Sequence, residues 1–413
     1  MGNIDTNGNG NVSSSGNVVT RFFQGKAEQR AQRERHAMLE LVRTIWVEGV
    51  LEKSLYAEIL TRLGLEEQPG AGERPWDVLL QTLDQPNRML PPGTPVVEVF
   101  DAVNGTLLIL GEPGAGKTTM LLELARDTLV RAEQDAALPI PVVFNLSSWL
   151  DPQQSLADWL VAELRAKYYT PKATAQKWLE HDELLLLLDG LDEVRPENRE
   201  ACVQAIDDFR QGHMTTPLVV CCRIADYEAL DTKPHLQGTI LLQPLTPQQI
   251  EAYFDRMGEK LATVCQAWKQ DSVLQELVRQ PLMLNILTLA YQGLSVEELA
   301  SDQGDTVEAR RKHLFDTYIR RMAARPARTS NPRYTPEQTT RWLAWLAQKM
   351  SKQGQSIFLL ERLRRNWLQT SIQQLLHRII IRFVFGLIFG LLFGLLGGLS
   401  TEIGNAWGLG LLY

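Results

Sequence analysis

The stretch LLILGEPGAGKTTMLLELA, residues 107–125, decides how the rest of the chain is read. An apolar run ends in a glycine-rich turn, which opens on a lysine, two threonines and an amphipathic segment. Gly111, Glu112, Pro113, Gly114, Ala115, Gly116, Lys117 and Thr118 satisfy the pattern G-x-x-x-x-G-K-[ST]. Glycines in such a turn let backbone N–H groups converge on phosphate oxygens without a side-chain clash, and the following helix presents its positive end. Lys117 is then expected to supply a point charge to the β- and γ-phosphates, and Thr118 a hydroxyl to Mg2+. Thr119 stands where it would contact the α-phosphate.

A second motif, LLLLLDGLDEV (184–194), fits the first. Five leucines read as a strand buried on both faces, and Asp189 ends that strand where a magnesium hydration shell would be held. Asp192 and Glu193 follow on the loop, where a carboxylate would orient or deprotonate a water attacking the γ-phosphate. The residues leave open which acid does so. Arg223 ends the next apolar run, VVCCR, and strand ends in a parallel sheet converge on the ligand edge. A guanidinium there is expected to sense the γ-phosphate.

Working outward, residues 96–245 alternate short apolar runs with amphipathic ones. TLLIL (106–110), IPVVFNL (140–146), ELLLLLD (183–189) and TPLVVCCR (216–223) are the expected strands, with helices over 118–131 and 156–167 among those between them. The expected fold is α/β, a doubly wound parallel sheet. Residues 1–25 are rich in Gly, Asn and Ser and read as a flexible arm, whose MGNIDT formally matches an acylation pattern through composition. Residues 26–95 read as a helical region and linker: Met38, Leu41, Val42, Ile45, Trp46, Val50 and Leu51 recur at helical spacing. Residues 246–305 read as a helical domain opened by LTPQQIEAYF, where Thr246 caps a helix with Pro247 in its first turn. Residues 306–371 are again mostly helical and basic.

The last part, 372–413, departs from all this. FVFGLIFGLLFGLLGGLS (383–400) has no charge in eighteen positions, and with the preceding IIIR it reaches the length of a bilayer span. Gly386, Gly390 and Gly394 line one helix face, which suits close helix approach. Arg362, Arg364, Arg365, Arg378 and Arg382 crowd its N-terminal side, so the span over 379–400 would sit in the cytoplasmic membrane with the preceding domains facing the cytoplasm. The terminal AWGLGLLY resembles a second span cut short.

Composition excludes several classes. A net charge of -7 argues against a nucleic-acid surface. Cys202, Cys221, Cys222 and Cys265 are too few for a secreted disulfide framework and show no C-x-x-C spacing. No N-K-x-D guanine-reading motif occurs, TKPH (232–235) being the nearest, and no L-S-G-G-Q-like transporter signature lies in the body of the chain.

Taken together, LLILGEPGAGKTTMLLELA, PVVFNLSSW, LLLLLDGLDEV, LVVCCRIADY and LLQPLTPQQIEAYF resemble the NACHT domain of the STAND class of signal-transducing NTPases. The resemblance covers 96–300 firmly and 306–370 loosely, as a winged-helix-like part. It implies a P-loop NTPase that binds ATP or ADP with Mg2+, phosphate and metal contacts from Gly111 to Thr119, metal contact through Asp189, and hydrolytic and sensor roles for Asp192 or Glu193 and for Arg223. It also implies that Pro281, in RQPLMLNILTLA, packs on adenine; on its own residues, Pro281 is a helix-initiating proline. The phenylalanine–histidine motif that the family commonly carries late in its winged-helix part does not occur here, and no sensor-type repeat array follows.

The function this implies is a slow ATPase acting as a switch. ADP would hold the helical domains closed, and ATP would open them for homo-oligomerisation at the membrane, in bacterial defence if the relatives are a guide. The N-terminal region would serve an unidentified protein partner. The competing classes are a membrane-coupled ATPase that turns over continuously for transport, and a nucleotide-stabilised anchor or scaffold.

Overall fold

The computed structural model describes residues 14–55, 78–82, 88–91, 93–292, 306–325 and 334–352. Seven strands form one sheet: β1 (Val78–Thr82), β2 (Arg88–Met89), β3 (Thr106–Leu110), β4 (Ile140–Asn145), β5 (Leu184–Asp189), β6 (Leu218–Cys222) and β7 (Gly238–Leu242). Their order across the sheet is β2-β1-β7-β3-β6-β5-β4. Neighbours from β7 to β4 run parallel, whereas β1 pairs antiparallel with both β7 and β2.

The four strands expected from apolar runs, β3 to β6, form one contiguous half of the sheet from its middle to the β4 edge, and β3, β4 and β6 are buried at every position. The sheet is mixed rather than wholly parallel, and it extends past the boundary expected at residue 96. β1, from the segment read as linker, satisfies its backbone groups on the free edge of β7. From β6 the chain returns to pair beside β3, and β7 then takes β3's other side. The turn after β3 therefore leaves the middle of the sheet, the usual place for a ligand crevice.

Three helices start on recognisable signals. Ser155 caps the helix Leu156–Tyr168 by accepting from the Asp158 N–H, and Pro196 opens Pro196–Gly212. Thr246 and Gln249 form a reciprocal capping box at the start of Pro247–Met257. The helices between 247 and 291 bury Tyr253, Phe254, Trp268, Leu284 and Leu287 in one apolar cluster, which Leu314 of the helix Val307–Ala323 also enters. The helix Pro336–Lys352 follows. The described residues of 306–371 contain these two helices and no strand.

The N-terminal helix runs Ser14–Val42, beginning inside the stretch read as a flexible arm, and continues as a wider π-helical segment, Arg43–Leu51. Its contacts fall on the helix Lys117–Gln134 and the region behind β4. An Arg43 guanidinium N–H donates to the Glu133 carboxylate at 2.5 Å, and an Arg35 N–H donates to the carbonyls of Ala132 at 3.0 Å and Leu138 at 2.7 Å. Trp46 Nε1–H donates to the Tyr168 hydroxyl at 2.7 Å, which in turn donates to the Val143 carbonyl at 2.5 Å. That buried chain ties the N-terminal region to the edge strand β4.

Two compact units divide after Trp342. Of the second, only the last part of the helix Pro336–Lys352 is described. No helix among the described residues is long and apolar enough to cross a membrane. The apolar run at 383–400 and the whole of 372–413 lie outside those residues, as do 1–13 and the acylation match.

Candidate functional site

The site is built at the exit of β3. Gly111 follows the strand, the loop turns through Gly114 at φ +78° and Gly116 at φ +100°, and the helix Lys117–Gln134 begins. Lys117 Nζ donates to the carbonyls of Gly111 at 2.8 Å and Glu112 at 3.1 Å, which holds the ammonium at the mouth of the turn. Glu112 and Pro113 are exposed at the tip, and Ala115 is buried beneath. Gly114 is a glycine for two reasons. Its φ is left-handed, and an added Cβ would lie 2.9 Å from the Leu282 Cβ.

Thr118 and Asp189 meet. The Thr118 hydroxyl donates to Asp189 Oδ2 at 2.9 Å, across two elements far apart in sequence. Burial pushes the Asp189 carboxyl up to about 6, with Glu193 and Asp192 adding to the rise while the Thr118 hydrogen bond and Lys117 oppose it. A shift of that size costs the ionised form roughly 3 kcal/mol. The five leucines before it, all buried, each contribute about 1.5–3 kcal/mol, which helps offset the cost of desolvating the carboxylate. A hydroxyl and a carboxylate at this separation are hard oxygen donors of the kind Mg2+ takes, with phosphate and water completing its shell. The residues present therefore fit the metal.

The two following acids are held differently. Arg223 Nε–H donates to Asp192 Oδ2 at 2.7 Å, and the Arg223 backbone N–H donates to Oδ1 at 3.2 Å, so one residue engages both oxygens. The Asp192 side chain is almost fully buried, while that of Arg223 is half exposed. Arg199 braces the same loop, donating to the carbonyls of Asp192 at 2.9 Å and Val194 at 3.3 Å and pairing with Asp226 at 2.9 Å. Glu193 instead reaches back toward the sheet, where Asn145 Nδ2–H donates to its Oε2 at 3.2 Å. Gly190, at φ +79°, makes room for this, since a Cβ there would lie 2.9 Å from the Glu193 carboxyl carbon. The small residue between the acids is thus a geometric requirement.

On the other side of the loop a cavity of about 380 Å³ is lined by Gly114, Gly116, Lys117, Thr118 and Thr119 together with Ser54, Leu55, Pro281, Leu282 and Asn285. Pro281 opens the helix Pro281–Tyr291. The Leu282 N–H donates to the Gly114 carbonyl at 3.2 Å, which joins the first turn of that helix to the glycine loop.

Several of these residues were not singled out from sequence. Asn145 is the polar end of an apolar strand and lies in register beside Asp189, a signal that was available. Arg199 sits in the first turn of Pro196–Gly212 with no local mark, and Ser54, Leu55 and Asn285 reach the cavity only through the tertiary fold.

A parallel-stranded core with this loop, and a half-buried aspartate meeting the loop's threonine, defines a nucleotide-binding P-loop NTPase fold. The NACHT domain family matches residues 105–261, so that part of the chain carries a NACHT domain, a nucleotide-binding module. No curated protein matches the chain. Among solved structures, that of PCH-2 from C. elegans is similar over 55% of this chain and 63% of its own, less than two thirds of its length, at 14% identity and a TM-score of 0.26. A likeness that loose carries no argument.

Proposed function

We propose that the chain is an ATP/ADP-operated switch, hydrolysing slowly and coupling the nucleotide to the angle between the glycine loop and the helices after it. The observation that carries this is the shared cavity, in which phosphate-binding residues and the first turn of Pro281–Tyr291 face one volume. A ligand shifts a conformational equilibrium only as far as it binds two states unequally. A cavity walled by two substructures supplies that inequality, because moving either wall changes the contacts.

In this reading Lys117 and the loop amides hold the β- and γ-phosphates. Thr118 and Asp189 would hold Mg2+, which when bound supplies positive charge to the phosphate oxygens. Pro281 packs on the adenine. Glu193 orients the attacking water. Asp192, with both oxygens taken by Arg223, keeps that arginine at the γ-phosphate side of the sheet edge. The ATP form would assemble into homo-oligomers, the apolar run at 379–400 would anchor them in a membrane, and the N-terminal helices would engage a protein partner.

The test is to purify the full chain gently, identify its bound nucleotide, and measure its mass in solution with and without ATP. Retained ADP, slow turnover and ATP-dependent assembly support the switch. Rapid unstimulated hydrolysis with no change in assembly would favour a transport ATPase.

A further inference from the structure

We propose that Asn285 is the residue that reads the nucleotide base and sets adenine over guanine, a reading that rests on the nucleotide site proposed above. Asn285 stands four residues after Pro281 in the helix Pro281–Tyr291, so both side chains lie on one face, and both line the cavity that also holds the phosphate-binding loop. Pro281 offers that volume a flat apolar surface, and Asn285 an amide.

Apart from Asn285, the helix is apolar except for Thr288 and Tyr291. Thr288 is spoken for within the protein: its hydroxyl donates to the Leu284 carbonyl at 3.0 Å and shares a bond with the Tyr253 hydroxyl at 3.1 Å. The Asn285 side chain, half-buried, makes no hydrogen bond among the described residues. A carboxamide placed in an apolar wall without a protein partner loses solvation unless something in the cavity pairs with it.

The edge chemistry then selects the base. An amide presents an acceptor oxygen beside a donor NH2. Adenine presents a donor, the N6 amino group, beside an acceptor, N7, and an asparagine meets that pair with two hydrogen bonds. Guanine presents two acceptors, O6 and N7, on the same edge, which leaves the amide oxygen facing another oxygen. Asn285 therefore favours ATP and ADP and penalises GTP and GDP.

The experiment measures the affinities of ATP and GTP, with Mg2+, for the full chain and for Asn285→Ala and Asn285→Asp. The second variant keeps the side-chain shape and the acceptor that meets N6 but removes the donor to N7, which both purines share, so it guards against loss of fold in the first. A preference for ATP of roughly tenfold or more in the natural chain, reduced to within about threefold in Asn285→Ala and retained in Asn285→Asp with both nucleotides bound more weakly, supports the assignment. An unchanged ratio in Asn285→Ala, or equal weakening of both nucleotides by that variant, overturns it and leaves the nucleotide site standing. A natural chain that binds neither nucleotide overturns the switch reading and this assignment together.

Discussion

The backbone N–H of Leu282 donates to the carbonyl of Gly114 at 3.2 Å, and a Cβ on that glycine would lie 2.9 Å from the Leu282 Cβ. The loop that would cradle phosphate and the first turn of the following helical region therefore touch directly, with no side chain between them on the loop side. Gly114→Ala places a methyl in that contact and adds a left-handed strain of roughly 1 kcal/mol. We expect a folded protein that releases ADP faster, measured as the dissociation rate of a fluorescent analogue. An unchanged release rate would show that the contact does not govern the closed state.

Lys117 lies 2.8 Å and 3.1 Å from two loop carbonyls, poised at the mouth of the turn. Lys117→Ala is expected to lower ATP affinity by about two orders of magnitude, the scale of losing a charge-assisted contact to phosphate. Calorimetric titration that still returns micromolar affinity would put nucleotide binding elsewhere.

Glu193 and Asp192 are separable by their partners. Glu193→Gln should keep ATP affinity and slow hydrolysis on the order of a hundredfold. Asp192→Asn should loosen Arg223, whose Nε lies 2.7 Å from it, and give the smaller kinetic defect. Single-turnover rates decide the matter, and the reverse ranking would exchange the two roles.

Asp189 brings a pH dependence with a definite sign. Burial raises its carboxyl to about 6 from an ordinary 3.8, so between those values the folded chain holds a proton that the unfolded chain has released. The stability this group contributes is complete below 3.8 and is lost as pH rises through about 6. In nucleotide-free protein kept in chelator, the stability of Asp189→Asn relative to the natural chain should climb between about pH 4 and 7, by up to roughly 3 kcal/mol. Parallel denaturation curves across that range would contradict the buried placement.

The proposed membrane anchoring by 379–400 has its own test: full-length chain in the membrane pellet and a chain lacking 372–413 in the supernatant are the expected outcomes. A truncated chain that still sediments with membranes would mean that 379–400 is not what holds it there.

The central strands and the glycine loop were legible because their signals are local. TLLIL and LLLLLD are buried on both faces and need no pattern of alternation, and a loop motif is contiguous by nature. β7, GTILL, was missed because two of its five positions are only half-buried and its partner β1 comes from a segment with linker-like flanks. The same distinction holds at the site. Asp189, Asp192 and Glu193 could be read in place, but Asp192's engagement by Arg223, Glu193's by Asn145 and the loop's bracing by Arg199 are products of strand order, which no local window contains.

One helix, Lys117–Gln134, has both of its ends gripped. Its first residue sits in the glycine loop, while Arg35 and Arg43 of the N-terminal region hold carbonyls and a carboxylate at its last turn and just beyond. It is thereby a push-rod: a shift of a fraction of an ångström imposed at the loop has no slack to absorb it before the far arginines. The N-terminal segment would receive that displacement as a tug, delivered along eighteen residues of helix.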